Sequence, residues 1–306
     1  MRGRDVVSID DLTPAELSEV LDRSAELKRA QRAGEPTPLL AGKTLAMIFE
    51  KPSLRTRVTF EVGMRHLGGG AVNLAPADIQ LGTRESVPDV ARNLSRWVDG
   101  IVARTFAHRT VVGLAAAASV PVINGLSDWE HPCQALADLL TVREHLGHLD
   151  GARIAWVGDG NNVLHSLLLG AAKMGVSVAA ATPAGYAPAE EVARRAKEIA
   201  SGTGAAVAMT TDAAEAVRGA DIIYTDVWIS MGQEAERAQR LRDFAGYQVN
   251  AALLRAAGGR PRVMHCLPAH RGEEITDEVL DGPSSIVLDQ AENRLHAQKG
   301  LLALIL

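Results

Sequence analysis

The chain has 306 residues, 47% of them hydrophobic and 23% charged, with a net charge of −5 and a pI near 6.0. That length and balance fit a globular protein with buried cores and room for two ordinary domains. They provide no basic field for nucleic acid, so none is expected as a partner, and any cationic cluster is local.

The opening residues, MRGRDVVSIDDL, carry acids and no long apolar core, so no signal or transit peptide is expected. Thr13-Pro14-Ala15-Glu16 reads as a capping box opening a helix through about Gln31, followed by a loop at 34–38. Thr44–Phe49 is a continuous apolar run of buried-strand type. The chain turns at Pro52, and a helix begins within Ser53–Arg57, with Val58, Val62 and Leu67 at roughly helical spacing. A short strand at 71–74 leads into the loop Asp78–Glu85. A helix through Leu94 and Trp97 precedes a strand at 100–104, and an alanine-rich helix precedes a strand at 120–124. His131-Pro132-Cys133-Gln134 then opens a long helix to His145, with proline in the first turn, where a missing N–H costs nothing.

The stretch 147–151 reads as a join. Arg153–Val157 is a buried strand ended by Gly158-Asp159-Gly160-Asn161-Asn162, and a helix runs from about Leu164 to Met174. Further strands are expected near 176–180, 205–210, 222–225, 262–265 and 285–288, with helices between and a last helix carrying Asn293, Arg294 and His296. The final LLALIL is too short to span a bilayer, so no membrane association is expected. The alternation predicts an α/β protein of two parallel-sheet, Rossmann-like domains. The first is 1–147 and the second is 148–289.

Polar residues collect after these strands, at the edge where open α/β sheets bind ligands. Ser53, Arg55, Thr56 and Arg57 place hydroxyls and guanidinium groups at one helix N-terminus. Free N–H groups and the helix dipole favour an anion there, and Arg adds bidentate geometry suited to phosphate. The expected cargo is a small phosphate compound. Taken alone the stretch is also consistent with a solvated N-cap, and His131 alone with a cap or a packed histidine. The other strand ends favour the ligand reading: Arg104, His131–Gln134, Asn161 and Asn162, Asp226 with Ser230 and Met231, and Cys266-Leu267-Pro268. Cys133 and His265 are expected to pack, and the tryptophans to sit in cores. Two cysteines suit a reducing cytoplasm better than a disulfide framework. No Cys/His spacing suggests zinc, and neither metal nor cofactor is expected.

In this order SLRTR at Ser53–Arg57, HPCQ at His131–Gln134, DVWISMG at Asp226–Gly232 and HCLP at His265–Pro268 resemble the motifs of the aspartate/ornithine carbamoyltransferase superfamily. The resemblance covers nearly the whole chain, and DVWISMG resembles the signature of its ornithine-using branch. It implies a carbamoyl-phosphate-binding domain at 1–147, with a C-terminal helix 290–306 packing back onto it, and an ornithine-binding domain at 148–289, with the active site in the cleft between them. It implies transfer of the carbamoyl group of carbamoyl phosphate to the δ-amine of L-ornithine, giving L-citrulline and phosphate, in the synthesis or breakdown of arginine. It also implies trimers or multiples of them.

Residue by residue, the resemblance gives Ser53, Arg55, Thr56 and Arg57 to the phosphate, with the backbone of Leu54 where the family usually has Ser or Thr. Gln80 lies on the loop that reaches a neighbouring subunit's site. Arg104, His131 and Gln134 contact the carbamoyl end, where donors meet the charge developing on oxygen. Cys266, Leu267 and Arg294 complete that site, and Asn162, Asp226, Ser230 and Met231 hold ornithine. The catalytic candidates are Arg104, His131, Asp226 and Cys266. Deprotonating an alkyl amine of pKa about 10.4 at pH 7 costs roughly 4.6 kcal/mol. The leaving phosphate can take that proton, with Cys266 orienting the amine.

Other functions stay open. Putrescine, N-acylated ornithine or lysine would serve a related transferase, and a non-catalytic binding paralogue is a further reading. An NAD-dependent oxidoreductase is suggested by WVGDGNN after a strand, but Val163 stands where the dinucleotide fingerprint needs its third glycine.

Overall fold

A computed structural model describes residues 1–230 and 232–306, with Asp78 described by its backbone alone. The chain divides into two compact units, Met1–Leu140 with Glu292–Leu306, and Thr141–Ala291.

The first unit is built on a parallel sheet of β1 (Thr44–Phe49), β2 (Gly70–Leu74), β3 (Gly100–Arg104) and β4 (Val122–Leu126), ordered β2-β1-β3-β4. Every residue of β3 is buried, as a parallel strand covered on both faces must be. On one face Ala46, Ile48, Ile101 and Ala103 pack with Val90 and Leu94 of the helix Val87–Leu94 and with Val111 and Leu114 of the helix His108–Ala117. The capping box is present: the Thr13 hydroxyl accepts the Glu16 N–H at 3.2 Å, and the Glu16 carboxylate accepts the Thr13 N–H at 2.9 Å. The strand expected at 120–124 starts two residues later. Pro121 lacks an N–H for the ladder and contributes only its carbonyl, which accepts from Ile101 at 2.8 Å.

The second unit carries β5 (Arg153–Val157), β6 (Ser177–Ala181), β7 (Val207–Thr210), β8 (Ile222–Thr225) and β9 (Arg262–His265), all parallel and ordered β7-β6-β5-β8-β9. Trp156 and Tyr224 are register partners on β5 and β8, fully buried and edge-to-face with centroids 4.9 Å apart. Such a pair adds about 0.5–1.5 kcal/mol beyond its area burial. On the opposite face Ala155, Val157, Ile223 and Val263 cluster with Ala213, Ala216, Val217 and Val287. The strand expected at 285–288 is not one. Ser285 makes a single bridge to Val263, and the helix Val287–Ile305 has already begun. Ile286 and Val287 are buried while Leu288 is 76% exposed, which breaks the alternation a strand requires.

Both units are therefore parallel α/β, as the alternation in the sequence predicts. In each sheet the order reverses beside one strand. The chain leaves β1 for β2 on one side and returns to β3 on the other; it leaves β5 for β6 and returns to β8. Each reversal opens a crevice at the carboxyl ends of two neighbouring strands, where such sheets bind ligands. Among the described residues no helix is long and apolar enough to cross a membrane.

Candidate functional site

In the first unit the reversal lies between β1 and β3, and its polar groups come from the segments just beyond them. After β1 the chain enters the helix Leu54–His66, whose N-cap, Ser53, makes no side-chain cap hydrogen bond. One turn in, the buried Thr56 hydroxyl accepts from Arg294 Nη2 at 3.1 Å and from Arg104 Nη1 at 3.5 Å. Arg104 ends β3, and Arg294 comes from the helix Val287–Ile305. Arg294 Nη1 also donates to Gln134 Oε1 at 2.7 Å, and Gln134 Nε2 donates to Asp138 Oδ1 at 2.8 Å along the helix Pro132–Leu146. Arg104 is 8% exposed and Arg294 2%. Fixed, buried positive charge at a helix N-terminus is the physical form of an oxyanion site.

His131 lies beside this network, almost wholly buried. Burial first, then the positive fields of Arg294, Arg104 and Arg55, holds its pKa well below the ordinary histidine value. The imidazole is therefore neutral at pH 7, with one N–H to donate and one nitrogen to accept. Burial pushes the Cys133 thiol up to about 12, so Cys133 is an inert core neighbour.

In the second unit the reversal lies between β5 and β8, and a hydrogen bond spans it. Asn161 caps the helix Asn162–Lys173, its Oδ1 accepting from Val163 N at 3.0 Å and Leu164 N at 3.2 Å, while its Nδ2 donates to Asp226 Oδ2 at 2.8 Å. Asp226 is 6% exposed. Its Oδ1 accepts from the Cys266 thiol at 2.8 Å and from Val227 N at 2.8 Å. The buried Arg240 donates to Asp159 Oδ2 at 3.1 Å and to the Trp228 carbonyl at 2.9 Å, fixing the segment after Asp226. A buried carboxylate with a thiol beside it suits a cationic amine.

The glycines of WVGDGNN have another use. A Cβ on Gly160 would lie 2.2 Å from Pro188 N, so that glycine permits backbone packing. The first N–H groups of the following helix are taken by Asn161. A dinucleotide phosphate would have to displace that cap.

The structure thus joins Thr56, Arg104, Gln134 and Arg294 in one network, with His131 and Arg55 in its field, and joins Asp226 to Cys266 in another. Leu267 follows Cys266 with φ of 57°, in the left-handed region. Leu54 is 74% exposed in the first turn of that helix. Arg57 is exposed, and Gln80 is exposed outside the network with φ of 42°. Asn162 is half-buried, and it is Asn161 that binds Asp226. Ser230 is half-buried, and its N–H donates to Gln233 Oε1 at 3.0 Å. Met231 lies outside the described residues. Sequence reasoning missed Asp138, Asn161 and Arg240 in these roles. Asp138 was findable, four residues after Gln134 on one helix; nothing local marks Arg240.

Two family models match the chain. Residues 4–144 match "Aspartate/ornithine carbamoyltransferase, carbamoyl-P binding domain", and residues 150–305 match "Aspartate/ornithine carbamoyltransferase, Asp/Orn binding domain". The chain is 57% identical over 305 residues to a protein of Carboxydothermus hydrogenoformans named ornithine carbamoyltransferase, covering 100% of this chain and 98% of that one. It is 52% identical over 306 residues to one of Pyrococcus furiosus named ornithine carbamoyltransferase, anabolic, covering 100% and 97%. The solved structure of ornithine carbamoyltransferase from Pyrococcus furiosus superposes with a TM-score of 0.97 at 53% identity, covering 99% of this chain and 97% of that one. Motifs, parallel α/β units and full-length likeness agree: the chain belongs to the aspartate/ornithine carbamoyltransferase family.

Proposed function

We propose that this protein transfers the carbamoyl group of carbamoyl phosphate to the δ-amine of L-ornithine, giving L-citrulline and phosphate. The observation that carries the reading is the Thr56–Arg104–Arg294–Gln134 network, a buried cationic cradle at a helix N-terminus. In this reading Ser53, Arg55, Thr56 and Arg57, with the backbone N–H of Leu54, bind the phosphate. Arg104, neutral His131 and Gln134 meet the carbamoyl oxygen, and Arg294, Cys266 and Leu267 complete the cradle. Asn162, Asp226, Ser230 and Met231 bind ornithine, the Asp226 carboxylate answering its cationic amine. Residues 1–147 with 290–306 thus serve carbamoyl phosphate, and 148–289 serve ornithine.

The chemistry needs no strong base from the protein. The δ-amine attacks the carbonyl carbon, a C–N bond forms, and the C–O bond to phosphate breaks. The amine proton passes to the departing phosphate. Donors aimed at the carbonyl oxygen stabilise the charge that develops there, and a neutral His131 still has one N–H to donate.

A place in arginine synthesis, a cytoplasmic setting and a homotrimer or multiple of it belong to the same reading. Cys133 and Cys266, neither of them in a disulfide, support a reducing compartment. Leu54, Val58 and Val72, exposed at 74%, 46% and 49%, support an apolar surface covered by a second copy, with Gln80 reaching the neighbour's site.

The test is an assay of phosphate and ureido product with carbamoyl phosphate and, in turn, ornithine, putrescine, aspartate or lysine. Product with ornithine is expected; product only with aspartate overturns the reading. Tight binding in a fluorescence titration with NADH would restore the oxidoreductase.

A further inference from the structure

The segment just after β9 carries Cys266 and Leu267, and a fully buried carboxylate brackets it. Glu274 is 0% exposed. Its Oε1 accepts the backbone N–H of His270 and lies 3.0 Å from His265 Nε2. The other ring nitrogen, His265 Nδ1, accepts the backbone N–H of Leu267 at 2.9 Å. The His265 backbone N–H is held by Gln290 Oε1 at 2.9 Å, and the Glu274 carbonyl by Val249 N at 2.8 Å. Both ends of the stretch 265–270 therefore converge on one carboxylate.

These bonds fix the tautomer. A backbone N–H can only donate, so Nδ1 must carry no proton, and the ring proton sits on Nε2 and points at Glu274. A carboxylate is acceptor-only and enforces that choice. A neutral amide at 274 could rotate to donate and admit the opposite tautomer, whose Nδ1–H would oppose the Leu267 N–H. The stakes are local: Leu267 holds φ of 57°, a conformation that costs a non-glycine residue free energy and persists only when its surroundings impose it. Glu274 Oε2 has no hydrogen-bond partner among the described residues, a cost that packing alone does not require.

We propose that Glu274 and His265 form a positioning relay: Glu274 locks His265 as the Nε2–H tautomer, so that Nδ1 holds the Leu267 N–H and sets the backbone that presents Cys266 and Leu267 to the substrate. Neither residue touches substrate itself. The relay rests on the functional reading given above for Cys266 and Leu267.

Two substitutions at His265 separate its two bonds. In His265→Asn the amide oxygen replaces Nδ1 and keeps the acceptor for Leu267. In His265→Gln the amide reaches the Nε2 position and keeps only the bond to Glu274. The relay expects Asn to cost less than roughly tenfold in kcat/KM and Gln about 100-fold, the scale of an ångström-sized misplacement. Glu274→Ala should match Gln, with far-UV circular dichroism retained. Nitrogen NMR of histidine-labelled wild-type protein should show one buried imidazole with a bare Nδ1 and a protonated Nε2. An Nδ1–H tautomer at His265, or equal activity of the Asn and Gln variants, overturns the relay. If the variants do not fold, the wild-type spectrum alone decides. A wild-type enzyme with the expected tautomer but no carbamoyl transfer would sink the functional reading and leave the relay's hydrogen bonds standing.

Discussion

Arg294 reaches Thr56 across 238 residues of sequence, its Nη2 donating to the threonine hydroxyl at 3.1 Å. The same guanidinium holds Gln134 through Nη1 at 2.7 Å. One planar fork thus sets the first turn of one helix against the first turn of another. Lysine has a single ammonium and cannot hold both acceptors in that geometry. Arg294→Lys should raise the KM for carbamoyl phosphate about 10- to 100-fold, the worth of a charged hydrogen bond of roughly 1.5–3 kcal/mol. Steady-state kinetics at saturating ornithine would check this, and an unchanged KM would remove Arg294 from the cradle.

Asp226 and Cys266 share the second network. Asp226→Asn keeps the shape and removes the charge proposed to hold the ornithine amine. The kcat/KM for ornithine should drop by at least about 30-fold, equivalent to the loss of 2 kcal/mol or more for a buried charge partner. Cys266→Ala tests orientation rather than charge. Turnover should fall across the pH range, and turnover unchanged at every pH takes Cys266 out of the mechanism.

His296 is 1% exposed in the helix Val287–Ile305, and its pKa is lowered to about 4, by burial first and then by Lys28 and Lys299. The unfolded chain binds a proton at this histidine below about pH 6.5, while the folded chain does not until about pH 4. Its contribution is therefore present above pH 6.5 and lost as pH falls, by about 3 kcal/mol across that window. His131, held low in the same direction, adds to the loss. Denaturant titrations between pH 7 and 4 should show stability falling with acid, and His296→Gln should flatten the slope by close to one proton.

Gly160 has no room for a methyl group, with backbone atoms of Tyr186, Ala187 and Pro188 all within 2.5 Å of where a Cβ would stand. Gly160→Ala must push two backbone segments apart and should cost about 3 kcal/mol or more. A melting curve would check it, and an unshifted midpoint would show that the loop yields freely.

What the sequence made legible was local. The Thr13–Glu16 box, the helix entered through Pro132 and the alternation of strands and helices all depend on neighbours within a few residues. The misses have a common physical origin. Residues 285–288 are apolar enough for a strand, but packing turned them into the start of a helix. Asn161 and Asn162 look alike in sequence, and only the helix terminus decides which one caps it and reaches Asp226. Arg240 finds Asp159 81 residues away, and Glu274 becomes a partner of His265 only because the loop between them folds back. Residue type names the candidates, whereas tertiary contact assigns their partners.

The first unit is discontinuous: it needs residues 292–306 as well as 1–140, and Arg294 lies in the later piece. A ribosome therefore delivers Thr56, Arg104 and Gln134 well before the guanidinium that ties two of them together, with the whole of the intervening unit emerging first. The network of Thr56, Arg104, Gln134 and Arg294 stays incomplete throughout that interval, and its hydrogen bonds close only once the last helix has been made.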